Sequence, residues 1–221
     1  MGSGRTDAGV HATGQVACAD MPSSWTPESL RRSLNAILPP EIWIQSSSIA
    51  HPDFHPRYGA IARTYQYQVG TEPKARSPFH ARTCWTLEGQ LDYELLKFGA
   101  SELVGEHSFK AFAKSGQPER GYLCSISQAQ WSHSDLGFCF EITANRYLHH
   151  MVRYLVGTMV DIARVKRQKD DLRRLLSAEP DLTTSAPAPP QGLFLVNVRY
   201  PEHIESSQIP PSASSKSIAN A

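Results

Sequence analysis

Ala62-Arg63-Thr64-Tyr65-Gln66-Tyr67-Gln68-Val69-Gly70 alternates strictly between two kinds of side chain. Arg63, Tyr65, Tyr67 and Val69 share one face, and Thr64, Gln66 and Gln68 share the other, as on a half-buried strand. Downstream, Leu91-Asp92 precedes a helix carrying Leu95, Leu96, Gly99 and Leu103. Residues 105–112 read as a loop with two aromatics. Residues 122–131 and 138–144 read as paired strands. In the second, Phe138, Phe140 and Ile142 point one way and Cys139, Glu141 and Thr143 the other. The strongest helix spans 146–165. Its Leu148, Met151, Val152, Leu155, Val156, Met159 and Ile162 make it nearly too apolar for a surface helix, so it belongs against a sheet. A short helix at about 170–177 and a strand at 193–200 follow. The order strand, helix, strand, strand, helix, strand is that of an α+β unit: an antiparallel sheet with helices on one face.

Upstream the pattern is shorter. Residues 15–20 alternate as a strand, with Val16 and Cys18 on one side. Thr26-Pro27-Glu28 has an N-cap and a proline at the first helical position. Leu30, Leu34, Ile37 and Leu38 form a helical stripe that Pro39-Pro40 stops, and Ile42 and Ile44 open another strand. His51-Pro52-Asp53-Phe54-His55-Pro56 is a rigid connection at a unit boundary. The organisation expected is a first unit at 1–52, a second at 53–201 and a disordered Ser/Pro/Ala tail at 202–221.

The chain has 221 residues, 40% hydrophobic and 19% charged, with a formal net charge of +1. This is an ordinary globular composition whose overall charge neither demands nor excludes a nucleic acid. The cysteines (Cys18, Cys84, Cys124, Cys139) form no CxxC pair, so a cysteine zinc site is not expected. Met1 leads into a polar loop, and charges interrupt every apolar run. No secretory leader or membrane span is expected, and a reducing cytoplasmic setting is.

Three constellations carry chemistry. Gly4-Arg5-Thr6-Asp7-Ala8-Gly9-Val10-His11-Ala12 sets one carboxylate among small residues in a tight turn, where it can act as base, nucleophile or metal ligand or simply face solvent. In the 62–70 strand, Tyr65 and Tyr67 are either core aromatics or a stacking platform, with Arg63 near for a phosphate. In Arg146-Tyr147-Leu148-His149-His150-Met151-Val152-Arg153, helical spacing aligns Arg146, His150 and Arg153, and Gly157 continues that stripe. Adjacent histidines on a helix stand about 100° apart, which argues against a shared metal. A buried Arg needs an anionic partner, and Asp7 is the conspicuous one. The basic run Arg164, Lys166, Arg167, Lys169, Arg173 and Arg174 either follows a phosphate backbone or is a solvated helix end.

Together these residues resemble the TruA family of tRNA pseudouridine synthases. The resemblance rests on Gly4 through His11, Phe54-His55-Pro56-Arg57-Tyr58, Ala62-Arg63-Thr64-Tyr65-Gln66-Tyr67, Gly105-Glu106-His107-Ser108-Phe109, Asn145 through Gly157, and Ala188-Pro189-Pro190-Gln191-Gly192-Leu193. It implies two ferredoxin-like α+β units whose antiparallel sheets face a basic cleft. It makes Asp7 the catalytic aspartate, Tyr65 the residue that stacks on the target uracil, and Arg153 the partner of Asp7. Arg5, Arg57 and Arg63 fall at or beside basic positions near the RNA. The implied reaction turns uridine into pseudouridine in the anticodon stem-loop of tRNA, with no cofactor and no metal, in a homodimer.

Family members carry a strand with a Tyr-Asp-Gly type motif and a helix ahead of the Gly-Arg-Thr-Asp loop. The first unit is therefore expected to be incomplete here. The alternative to an active isomerase is an inactive fragment that keeps a tRNA-binding or structural domain.

Overall fold

The computed structural model describes residues 1–114 and 121–202. Beyond Glu202, the tail expected at 202–221 lies outside the described residues. The elements are β1 (His11–Ala12), α1 (Pro27–Ile37), β2 (Ala62–Gly70), β3 (Trp85–Thr86), α2 (Tyr93–Ser101), β4 (Gly105–Ser108), β5 (Leu123–Ser134), β6 (Gly137–Ala144), α3 (Met151–Ala163), α4 (Asp171–Leu176) and β7 (Leu193–Arg199).

Among the described residues the strands form one open mixed sheet in the order β1-β7-β2-β6-β5-β4, with β3 beside the end of β2. β2 is its centre, antiparallel to β6 from Arg63↔Ala144 to Gly70↔Gly137 and to β7 from Ala62↔Arg199 to Tyr67↔Leu193. The alternation expected of β2 holds where it matters most, since Tyr67 and Val69 are fully buried. A bulge between Thr64 and Tyr65 shifts the register against β7, and bulges re-aim side chains at such places. β1 runs parallel to β7 (His11↔Phe194), which seats the residues just after Asp7 on the same sheet.

α3 carries the core, with ten of its 13 residues buried. Met159 lies against Gly99 of α2, and the indole Nε1 of Trp131 on β5 donates to the Met159 sulfur at 3.5 Å. Gly157 lets the chain at 186 pass close, since a Cβ there would stand 2.2 Å from the Ala186 carbonyl oxygen.

Several sequence expectations are corrected. Residues 105–108 are an edge strand, not loop, because β5 supplies a partner (Gly105↔Ile126 to Ser108↔Leu123). Among the described residues, 15–20 make one isolated antiparallel bridge, Gly2↔Ala17, in place of a strand. Residues 42–44 form no strand; Asn35 instead exchanges two hydrogen bonds with the Ile44 backbone. α3 starts at Met151, five residues later than the apolar periodicity suggests. α1 has the expected Thr26 cap, with Ser29 completing a reciprocal box, yet it buries no residue. Trp25, Ile37, Trp43 and Ile49 around it are exposed.

A Gly-to-Ala change inside an exposed helix ordinarily stabilises by about 1 kcal/mol. At Gly157 the clash reverses the sign: Gly157→Ala is expected to lower stability by roughly 1–3 kcal/mol, read as an earlier urea midpoint with an unchanged m-value.

Candidate active site

Asp7 stands at the start of a turn closed by the Val10 amide donating to the Asp7 carbonyl at 3.0 Å. Gly9 takes φ +81 in it, as the third position of a type II turn requires. The turn rests on Pro190, whose Cγ would lie 3.1 Å from a Cβ on Gly9. On the far side the amides of Thr13 and Gly14 both donate to the Leu195 carbonyl, and His11 stacks on Phe194 at 4.8 Å. The loop is thus held at both ends by the chain around β7.

The Asp7 carboxylate faces three cationic or imidazole groups. His149 Nε2 is 3.3 Å from Oδ1, His150 Nε2 is 3.0 Å from Oδ2, and Arg153 Nη1 is 3.6 Å from Oδ2. Arg153 comes from the first turn of α3 and is mostly buried, its side chain 12% exposed. Its Nε donates to the Ala188 carbonyl at 2.6 Å, while the Ala188 amide donates to the Arg153 carbonyl at 2.9 Å. The neighbouring Pro189 carbonyl accepts from the Tyr67 hydroxyl at 2.7 Å. The segment 188–190 therefore joins α3, β2 and the Asp7 turn. The sequence resemblance includes this segment without suggesting a role for it.

The two histidines overturn the helical reading of 146–150. His150 is the residue before α3 and adopts the left-handed conformation, φ 64. That backbone, uncommon for a non-glycine residue and costly where nothing enforces it, turns both rings toward Asp7, with centroids 4.2 Å apart. The 100° separation expected of neighbours on a helix does not apply to residues outside the helix. Burial lowers the His150 pKa, with Arg153 and His149 acting the same way against the opposing pull of Asp7. Arg146 also lies outside α3 and off the stripe drawn for it.

Tyr65 packs edge-on against Tyr147, with centroids 4.9 Å apart. The Tyr147 hydroxyl is fixed in turn at the carbonyls of Arg63 and Ile142. Burial raises the Tyr65 pKa, outweighing Arg63, so the phenol stays protonated. Arg63 is committed to the fold: its guanidinium donates to the carbonyls of Ser3, Arg57 and Asn145. Arg5 and Arg57 are exposed and line one shallow pocket of ≈ 250 Å³ with Met1, Gly2, Gly4 and Tyr58.

A family profile described as tRNA pseudouridine synthase matches residues 100–201. The chain is 36% identical over 211 residues to tRNA pseudouridine synthase A of Bacteroides thetaiotaomicron, covering 94% of this chain and 77% of that protein. The chain belongs to the tRNA pseudouridine synthase A family. Other members at similar distance are the proteins of that name from Limosilactobacillus reuteri, 36% identical over 90% of this chain and 78% of theirs, and from Geobacter sp. strain M21, 34% identical over 91% and 81%. The Asp7 loop lies outside the span matched by the family profile, and Arg153 and segment 188–190 lie within it.

The Asp7–Arg153 contact is open to a double-mutant cycle. Arg153→Met leaves the Ala188 carbonyl without its donor and is expected to cost roughly 1–3 kcal/mol in chemical denaturation. Combined with Asp7→Asn, the two losses should fall short of additivity by about 0.5 kcal/mol or more.

Proposed function

We propose that this chain is a tRNA pseudouridine synthase that isomerises uridine in the anticodon stem-loop, with Asp7 as the catalytic carboxylate. The observation that carries the reading is the Asp7 carboxylate held against Arg153 and the His149–His150 pair, in a family whose members are named for this activity. The N1–C1′ bond of the nucleoside breaks, a C5–C1′ bond forms, the proton on C5 leaves and N1 gains one. No atom is added or lost overall, so the reaction needs no redox partner.

Asp7 acts at the sugar, either by attack at C1′ or by assisting removal of a sugar proton. Arg153 aims the carboxylate, and its second tie at Ala188 keeps it from swinging away. Tyr65 serves as the floor on which the freed uracil turns. Flipping the uridine out of its stack costs a few kcal/mol, and stacking on an aromatic ring returns roughly 1–3 kcal/mol. A protonated phenol suits this role, because it brings no second charge beside Asp7. Arg5 and Arg57 supply phosphate contacts from the exposed pocket beside the loop. Arg63 supports them indirectly by holding the Ser3 and Arg57 carbonyls. A second sheet facing this one across the site, and a homodimer that a single tRNA spans, complete the reading; light scattering of the purified chain tests the dimer.

Asp7→Asn should abolish pseudouridine formation, measured by nucleoside analysis of treated tRNA, while tRNA affinity stays within about threefold. Parallel loss of binding would instead make Asp7 a structural residue. Tyr65→Phe keeps the stacking surface and should retain turnover within about tenfold; loss of all activity would assign chemistry to the hydroxyl.

A further inference from the structure

We propose that Asp7, His149 and His150 form a binding site for one divalent transition-metal cation of the zinc class, and that this cation blocks the site by occupying the carboxylate. The proposal goes beyond the isomerase reading, which needs no metal.

One carboxylate oxygen and two imidazole nitrogens lie within 4.8 Å of one another. Metal bonds of about 2.1 Å at a tetrahedral centre set neighbouring ligand atoms about 3.4 Å apart. Each imidazole already stands at nearly that spacing from one carboxylate oxygen, His149 Nε2 from Oδ1 at 3.3 Å and His150 Nε2 from Oδ2 at 3.0 Å, so a small rotation of the Asp7 carboxylate would let one oxygen serve with both rings. Two imidazoles and one carboxylate suit Zn²⁺, Co²⁺ or Ni²⁺, and suit Mg²⁺ or Ca²⁺ poorly, since those prefer oxygen ligands throughout.

The frame that presents these atoms is fixed. The left-handed backbone of His150 aims its ring, the Lys114 amide donates to the His149 carbonyl at 3.0 Å, and the turn at Gly9 fixes Asp7. His149 is more than half exposed, which opens a path from solvent and leaves the fourth position to water.

Arg153 is the feature that opposes a cation. It is tethered by Nε to Ala188 and stands 3.6 Å from Oδ2, so it has the place of an outer partner of a ligating carboxylate rather than of a ligand. Its charge weakens binding and makes occupancy reversible. Competition from three of the four cysteines is limited: Cys84 and Cys124 are buried, and burial holds the thiols of Cys124 and Cys139 up to about 11 and about 12. Metal ligation needs the thiolate.

The test is a titration of the purified full chain with CoCl₂, followed by ZnCl₂. One equivalent of Co²⁺ should give visible d–d bands of a four-coordinate N/O site, bleached by Zn²⁺. His149→Ala, an exposed change, and His150→Ala should each weaken binding at least about tenfold. Zn²⁺ should suppress turnover of the wild-type chain, and EDTA should restore it. The proposal is overturned by absent saturable bands, by bands unchanged in His149→Ala, by intense near-ultraviolet thiolate bands that mark a cysteine site, or by turnover that a saturating cation leaves untouched. Cobalt binding is read without tRNA, so its failure and that of the isomerase reading are separate results.

Discussion

The structure around Asp7 depends on one mostly buried guanidinium. A buried arginine must find partners for its charge and donors, since leaving either unpaired costs several kcal/mol. Arg153 meets that demand with Asp7 on one side and the Ala188 carbonyl on the other. Because Ala188 returns its own amide to the Arg153 carbonyl, the chain at 188–190 cannot slide along α3. Because Pro189 takes the Tyr67 hydroxyl and Pro190 supports Gly9, the same segment sets both the centre of the sheet and the height of the Asp7 turn. Charge placement and backbone placement are thus one constraint.

That constraint explains which parts of the molecule the sequence reveals. Periodicity in β2, β5, β6 and α2 is local and strong, and those elements appear where their side-chain spacing puts them. The ion pair of Asp7 with Arg153 is also legible, because a buried cation and a lone loop carboxylate each need a partner. The strands expected at 15–20 and 42–44 have the right alternation but lack neighbours: one forms a single bridge, and the other is pinned by the Asn35 side chain. β4 is the reverse case. Gly105-Glu106-His107-Ser108 has weak strand propensity, and pairing with β5 overrides it.

The histidine pair is the least legible feature and the one that most changes the site. Apolar spacing runs smoothly from Leu148 through Met151 and conceals that the chain turns at His150 before α3 begins. A left-handed φ at His150 brings the two consecutive rings to face one carboxylate. Strain of this kind persists where surrounding contacts enforce it, and here the Lys114 amide on the His149 carbonyl and the Tyr154 amide on the His150 carbonyl do so. The carboxylate therefore meets a crowded, nitrogen-rich wall where a lone arginine was expected.

Beside this wall stand two neutral phenols, Tyr65 and Tyr147. Burial keeps the Tyr65 and Tyr147 phenols protonated, and their edge-on contact fixes the Tyr65 ring without adding charge. On the proposed function Asp7 is the anion that the site offers to a sugar, and the isomerisation must release the proton on C5 of the target uracil. Release of tritium from tRNA labelled at C5 of uridine tests this most directly. The purified chain is expected to send tritium into water in step with pseudouridine formation. Absence of release from a chain that still binds the tRNA would contradict the assignment.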